Sequence, residues 1–122
     1  MSNPVRVLVI DDDEAILRSQ ERVLRAMGYV VQTAVGGRAG LAAMITGEHD
    51  AILCDVTMPE VGGADVFVAA QHGKRADRIV FWSGDWPAAL AALLDAEGVP
   101  RLDKPCLPAQ LRAVIERLAR PR

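Results

Sequence analysis

With 122 residues, of which 51% are hydrophobic and 25% charged, the chain has the composition of one folded domain and not of a disordered segment. Its net charge of −2, with no basic stripe, argues against nucleic acid as a direct partner. No apolar run approaches the roughly 18 residues of a membrane span and no secretory leader opens the chain, so a cytoplasmic protein with no membrane partner is expected.

The chain begins with a polar lead-in and a predicted strand over 5–10, whose run Val7-Leu8-Val9-Ile10 has the unbroken apolar character of a strand buried on both faces. Asp11 and Asp12 follow at once. Asp13 is placed to cap a helix over 14–27, which carries Ile16, Leu17, Val23, Leu24 and Met27 on one face and stops at Gly28. A strand over 30–34 and a helix over 38–46 come next, the helix ending at Gly47. The third strand, 50–55, contains Ala51-Ile52-Leu53-Cys54 and delivers Asp55 at its carboxyl end. Cys54 reads as a small buried hydrophobe, and two cysteines this far apart make neither a disulfide framework nor a zinc site.

Past Asp55, Pro59 stiffens the loop and Gly62-Gly63 turns it into a helix over 64–72. A strand over 78–83 ends in Ser83-Gly84, and Pro87 opens an Ala-rich helix over 87–97 that stops at Gly98. The fifth strand, 99–103, leads to Lys104-Pro105, and the last helix, 108–119, shows Leu111, Val114, Ile115 and Leu118 as a core stripe. Strict strand–helix alternation with short connections predicts an α/β domain over 1–122, its parallel sheet covered by helices on both faces. His49 and His72 have no ligand-like spacing and read as surface residues.

Charged residues at the carboxyl ends of parallel strands lie where open α/β sheets bind ligands. Two carboxylates ~5 Å apart repel by roughly 3 kcal/mol at an effective dielectric of about 20, so three convergent ones carry on the order of 10 kcal/mol. A divalent cation relieves that repulsion, and Mg²⁺ prefers oxygen ligands with one or two protein carboxylates among them. The loop after Asp55 leaves the Thr57 carbonyl free to face such a cation. Ser83 can donate to a phosphate oxygen, and Lys104 offers a counter-charge for a phosphoryl group in transfer. Taken singly, each of these residues fits an ordinary role: acidic residues at a helix start, an Asp or Ser in a turn, a solvated surface lysine.

Together, in order and in register, they resemble the receiver domain of two-component response regulators across essentially the whole chain. The carriers are Asp11-Asp12, Asp55, Met58-Pro59, Gly63, Ser83 and Lys104-Pro105, with 43 residues from Asp12 to Asp55, 28 on to Ser83 and 21 on to Lys104. The resemblance implies a flavodoxin-like, doubly wound sheet of order 2-1-3-4-5 with five helices. It also implies that Asp55 takes a phosphoryl group from a phosphohistidine on a histidine kinase or histidine phosphotransfer protein. Mg²⁺ would be held by Asp12, Asp55 and the Thr57 carbonyl, with Asp11 acting mainly through water. Lys104 and Ser83 would contact the phosphoryl group, and the surface of the fourth helix, fifth strand and fifth helix would report its presence.

Three features depart from the family pattern. Arg101 stands where the family commonly has Tyr or Phe; a guanidinium prefers water or a carboxylate, so it is expected to face outward and serve recognition. Cys106 replaces the usual Phe after Lys-Pro, and the segment from Ser83 to Lys104 is short, which predicts a trimmed fourth helix. Two other functions compete with this reading. A pseudo-receiver would keep the fold without phosphorylation. A haloacid-dehalogenase-type phosphatase would need a general acid where Thr57 stands.

Overall fold

The computed structural model describes residues 3–120. Its elements alternate as expected: β1 (Arg6–Asp11), α1 (Glu14–Ala26), β2 (Val30–Val35), α2 (Gly36–Thr46), β3 (Ala51–Asp55), α3 (Gly63–His72), β4 (Ile79–Ser83), α4 (Ala88–Ala96), β5 (Arg101–Asp103) and α5 (Pro108–Leu118). A short 3-10 turn, Ala76–Arg78, precedes β4. The strands form one sheet in the order β2-β1-β3-β4-β5, and every neighbouring pair is parallel. Between β1 and β3 the strand order reverses, which opens a crevice above the carboxyl ends of those two strands.

Alternation along the strands sends successive side chains to opposite faces and divides the core in two. Leu8, Ile10, Ile52, Cys54 and Phe81 pack against Met44, Val66, Phe67 and Leu94 of α2, α3 and α4. Phe67 and Phe81 meet edge to face with centroids 6.2 Å apart. On the other face Val7, Val9, Leu53, Val80 and Trp82 pack against Leu17, Leu24, Leu111, Ile115 and Leu118 of α1 and α5. Cys54 is buried in the first cluster, as its apolar neighbours predicted.

Local signals at the helix ends act as read. The Asp13 carboxylate accepts from the Ala15 and Ile16 amides at 2.9 and 3.3 Å. Gly28 follows α1 with φ +96°, a conformation that glycine adopts without strain.

Elsewhere the boundaries move for identifiable reasons. α2 begins at Gly36, two residues before its predicted start, and its glycines admit close neighbours: a Cβ on Gly37 would meet Val61, and one on Gly40 the Ile10 side chain at 2.5 Å. β5 is only three residues long; Pro100 has no N–H for a ladder, although its carbonyl accepts from the Phe81 amide at 3.3 Å. α4, at nine residues, is short, with Pro87 just outside it. His72 is exposed as expected, but His49 is half-buried. Its Nε2 lies 2.7 Å from Gln32 Oε1, while its buried Nδ1 has no partner among the described residues. Burial first, then Arg6 and Arg75, push its pKa below the ordinary 6.5, against the weaker pull of Asp50.

Candidate functional site

Strand register assembles the site. Val9 of β1 pairs with Leu53 of β3, and Leu53 with Val80 of β4, all on the α1/α5 face. Two residues further along each strand, the same face carries Asp11, Asp55 and Trp82, with Asp55 and Trp82 in direct register. The upper rim of the sheet therefore changes from aliphatic to acidic within one step. Asp11 ends β1 and is not the first loop residue, a one-residue shift that buries it at 1% exposure, whereas Asp12 is exposed.

One carboxylate oxygen each from Asp11, Asp12 and Asp55 can be chosen so that all lie within 4.8 Å of one another. Lys104, one residue past β5, brings Nζ to 2.8 Å from Asp55 Oδ1 and 3.6 Å from Asp11 Oδ2. That ammonium pairs with two of the three clustered carboxylates. Asp11 Oδ1 accepts from the Asp13 amide at 3.0 Å, while its Oδ2 is buried with no hydrogen-bond partner among the described residues. Burial raises the Asp11 pKa most; the Asp13 amide lowers it, Asp55 raises it, Lys104 lowers it and Asp12 raises it, for a net upward shift.

A clustered all-oxygen donor set with one buried oxygen unbonded suits a hard divalent cation such as Mg²⁺. Thr57, whose backbone carbonyl is the third predicted direct ligand, is exposed in the β3–α3 loop. That loop turns tightly at Gly63, where a Cβ would come within 2.9 Å of the Val56 Cα.

Ser83 is at the predicted strand end and buried, yet its hydroxyl is occupied within its own loop. It donates to the Asp85 carbonyl at 2.6 Å and accepts from the Asp85 amide at 3.1 Å. Arg101 stays out of the core and takes a carboxylate partner. It grips Asp95 of α4 with two bonds of 2.9 and 3.0 Å and lies 4.8 Å from the Trp86 ring centre. Trp86 in turn donates from Nε1 to Asp103 at 2.8 Å. Cys106 is half-buried against the α1/α5 cluster.

Trp82, Trp86 and Asp95 were not among the predicted site residues. Trp82 could have been found by counting along β3 and β4 in register; the contacts of Trp86 and Asp95 depend on the path of the β4–α4 loop.

The response regulator receiver domain model matches residues 7–116. This chain belongs to that family. It is 35% identical over 119 residues to the response regulator MprA of Mycolicibacterium vanbaalenii, across 93% of this chain and 52% of that protein. The chain thus spans about half the length of that relative. Among solved structures, the chemotaxis protein CheY4 of Vibrio cholerae superposes with TM-score 0.81 at 26% identity, over 95% of this chain and 99% of CheY4. A CheY-like receiver domain protein of Methanospirillum hungatei gives TM-score 0.83 at 26% identity, over 95% of this chain and 94% of that one.

Receiver domains of two-component signalling bind Mg²⁺ at an acidic pocket and interact with histidine kinases or phosphotransfer proteins. This receiver domain has the fold and the acidic cluster of that class. No helix among the described residues is long and apolar enough to cross a membrane.

Proposed function

We propose that this receiver domain takes a phosphoryl group onto Asp55 from a phosphohistidine of a histidine kinase or phosphotransfer protein. The observation that carries the reading is the Lys104 ammonium 2.8 Å from a buried Asp55 carboxylate, beside a second buried carboxylate with an unbonded oxygen. An Asp55 oxygen forms a bond to phosphorus as the phosphorus–nitrogen bond breaks, and the electron pair of that bond stays on the imidazole. The product is an acyl phosphate.

The sheet holds Asp55 in place during the transfer, since its strand is buried along its whole length. Lys104 sits where negative charge accumulates on the phosphoryl oxygens and offsets it. Asp12, Asp55 and the Thr57 carbonyl are the proposed direct holders of Mg²⁺, with Asp11 supporting it through water. Bound there, Mg²⁺ would neutralise charge on the transferring group. Ser83 is the proposed donor to the bound phosphoryl group, which requires its hydroxyl to leave the Asp85 carbonyl. Arg101, held at the surface by Asp95 and Trp86, is the proposed recognition residue on the α4–β5 side.

The test is labelling by acetyl phosphate with Mg²⁺, read by intact mass. The wild type should gain one phosphoryl group, and Asp55→Asn none. Labelling that persists in Asp55→Asn would overturn the assignment of the acceptor, and a wild type that never labels would favour the pseudo-receiver reading.

A further inference from the structure

We infer that Trp82 is a positioning residue for Lys104, its indole face holding the ammonium over the sheet so that the lysine reaches Asp55. The inference rests on the proposed role of Asp55 and adds a residue to it.

The argument begins with distance. Lys104 leaves the chain at the end of β5, whereas Asp55 ends β3, and β4 lies between them. Neighbouring strands are about 4.8 Å apart, so the lysine must cross the full width of β4 to make its 2.8 Å bond. What it crosses is Trp82. Trp82 pairs in register with Asp55 on one side and Leu102 on the other, and its side chain faces the α1/α5 side. The Lys104 Nζ lies over the indole, 4.7 Å from the ring centre.

A lysine stem has among the largest rotamer entropies of any side chain, and an unsupported one would spend much of its time in water. The side chain of Lys104 is 24% exposed, so water competes for the ammonium. An aromatic face beneath it attracts the ammonium electrostatically in every state of the site, with or without a cation or phosphoryl group.

Trp82 is also a core residue, 6% exposed, and packing alone would account for a large apolar side chain there. It does not account for an indole. The Trp82 Nε1 is buried with no partner among the described residues, an unsatisfied donor that a phenyl ring or a leucine would not carry. Among side chains the indole offers a cation the most favourable face. The combination fits a position where the ring face is used.

The experiment compares Trp82→Phe, which keeps a ring face, with Trp82→Leu, which keeps apolar bulk alone. In EDTA, NMR of the Lys104 ε-protons should show an upfield ring-current shift in the wild type that persists in Trp82→Phe and vanishes in Trp82→Leu. With acetyl phosphate and Mg²⁺, Trp82→Leu should be labelled about 5- to 30-fold more slowly, the factor that corresponds to about 1–2 kcal/mol of cation–π attraction. Trp82→Phe should stay within about threefold of the wild type.

In a Lys104→Ala background, Trp82→Leu should slow labelling no further; a purely structural role would slow both backgrounds by the same factor. Equal slowing in both backgrounds, or an unshifted lysine in the wild type, overturns the inference. Should Trp82→Leu not fold, Trp82→Met supplies a longer, flexible apolar side chain without a ring. A wild type that is never labelled counts against the role of Asp55, while the ring-current measurement still decides whether Trp82 holds Lys104.

Discussion

Replacing Asp11 by asparagine is expected to stabilise this receiver domain in metal-free buffer and to weaken its stabilisation by Mg²⁺. The Asp11 and Asp55 oxygens come within 4.8 Å, which at an effective dielectric of about 20 amounts to about 3.5 kcal/mol of repulsion. Lys104, 3.6 Å from Asp11, returns about 4.6 kcal/mol of attraction on the same scale. The two nearly cancel, with about 1 kcal/mol left in favour of the charge. Against it stands the burial of an oxygen with no hydrogen-bond partner, which costs about 1–3 kcal/mol and more when charged. Asp12 adds repulsion that solvent screens, since it is exposed.

The sum leaves the charge on Asp11 unfavourable by up to about 2 kcal/mol, consistent with its raised pKa, for which burial is the largest cause. The pH dependence follows from that direction. As pH rises past 3.8 the unfolded chain releases this proton before the folded one does, so the wild type loses stability across the window up to the folded-state pKa. Asp11→Asn lacks that loss. Urea unfolding at neutral pH should therefore place Asp11→Asn above the wild type in EDTA, by up to about 2 kcal/mol. Mg²⁺ at about 100 times its dissociation constant should stabilise the wild type by about 2.7 kcal/mol and the variant by clearly less. A variant less stable than the wild type in EDTA, or one with an undiminished Mg²⁺ gain, would refute the reasoning.

Two further expectations concern groups away from the acidic cluster. The Asp95 carboxyl is held below its ordinary 3.8, first by its hydrogen bonds from Arg101, so the pair contributes stability above that value and loses it as pH falls through the folded-state pKa. In Arg101→Ala the Asp95 titration, followed by NMR, should move up toward 3.8; an unmoved titration would show that the bidentate contact does not persist in solution. His49 titrates below 6.5 in the fold, so the unfolded chain takes up this proton first on acidification and stability falls below that pH. His49→Gln should flatten the change in urea midpoint between about pH 7.5 and 5.5; an unchanged pH dependence would show that His49 does not carry it.

The parallel sheet and its acidic strand ends were legible because each rests on a short-range signal repeated along the chain, whereas the strand order followed only from the family resemblance. Apolar runs ending in Asp11 and Asp55 announce buried strands with charged tips, and the β1/β3 switch point brings those tips together. Asp13 and Gly28 are readable for a similar reason, since a cap and a left-handed stop are decided within a few residues. The early start of α2 was hidden because two glycines argue against a helix until Ile10 and Val61 are seen to press on Gly40 and Gly37. His49 was misjudged for want of long-range information: its partner Gln32 is on β2. Arg101 shows both limits. Its chemistry predicted an outward guanidinium in water or on a carboxylate, but the choice of Asp95, and of Trp86 as the second contact, depends on how α4 and the β4–α4 loop come together.

The two sides of Asp55 are held in different ways, and the difference bears on how a signal could leave the site. Toward β5, Lys104 is fixed by Asp55, Asp11 and the Trp82 ring. Toward α4, Ser83 is bonded within its own loop, to the backbone of Asp85. A phosphoryl group on Asp55 would offer that hydroxyl a charged acceptor, and hydrogen bonds to charged groups are roughly twice as strong as neutral ones. The neutral bond to the Asp85 carbonyl would then be the contact that yields. Trp86 is the next residue along, joined to β5 through Asp103 and stacked with Arg101, which in turn grips Asp95. Loosening Asp85 would thus act on a surface staple of charge and aromatic contacts, whereas a Tyr or Phe at position 101 would act through an apolar slot in the fold. Surface contacts of this kind are screened by salt, so an output routed through Arg101 depends on ionic strength where one routed through core packing does not.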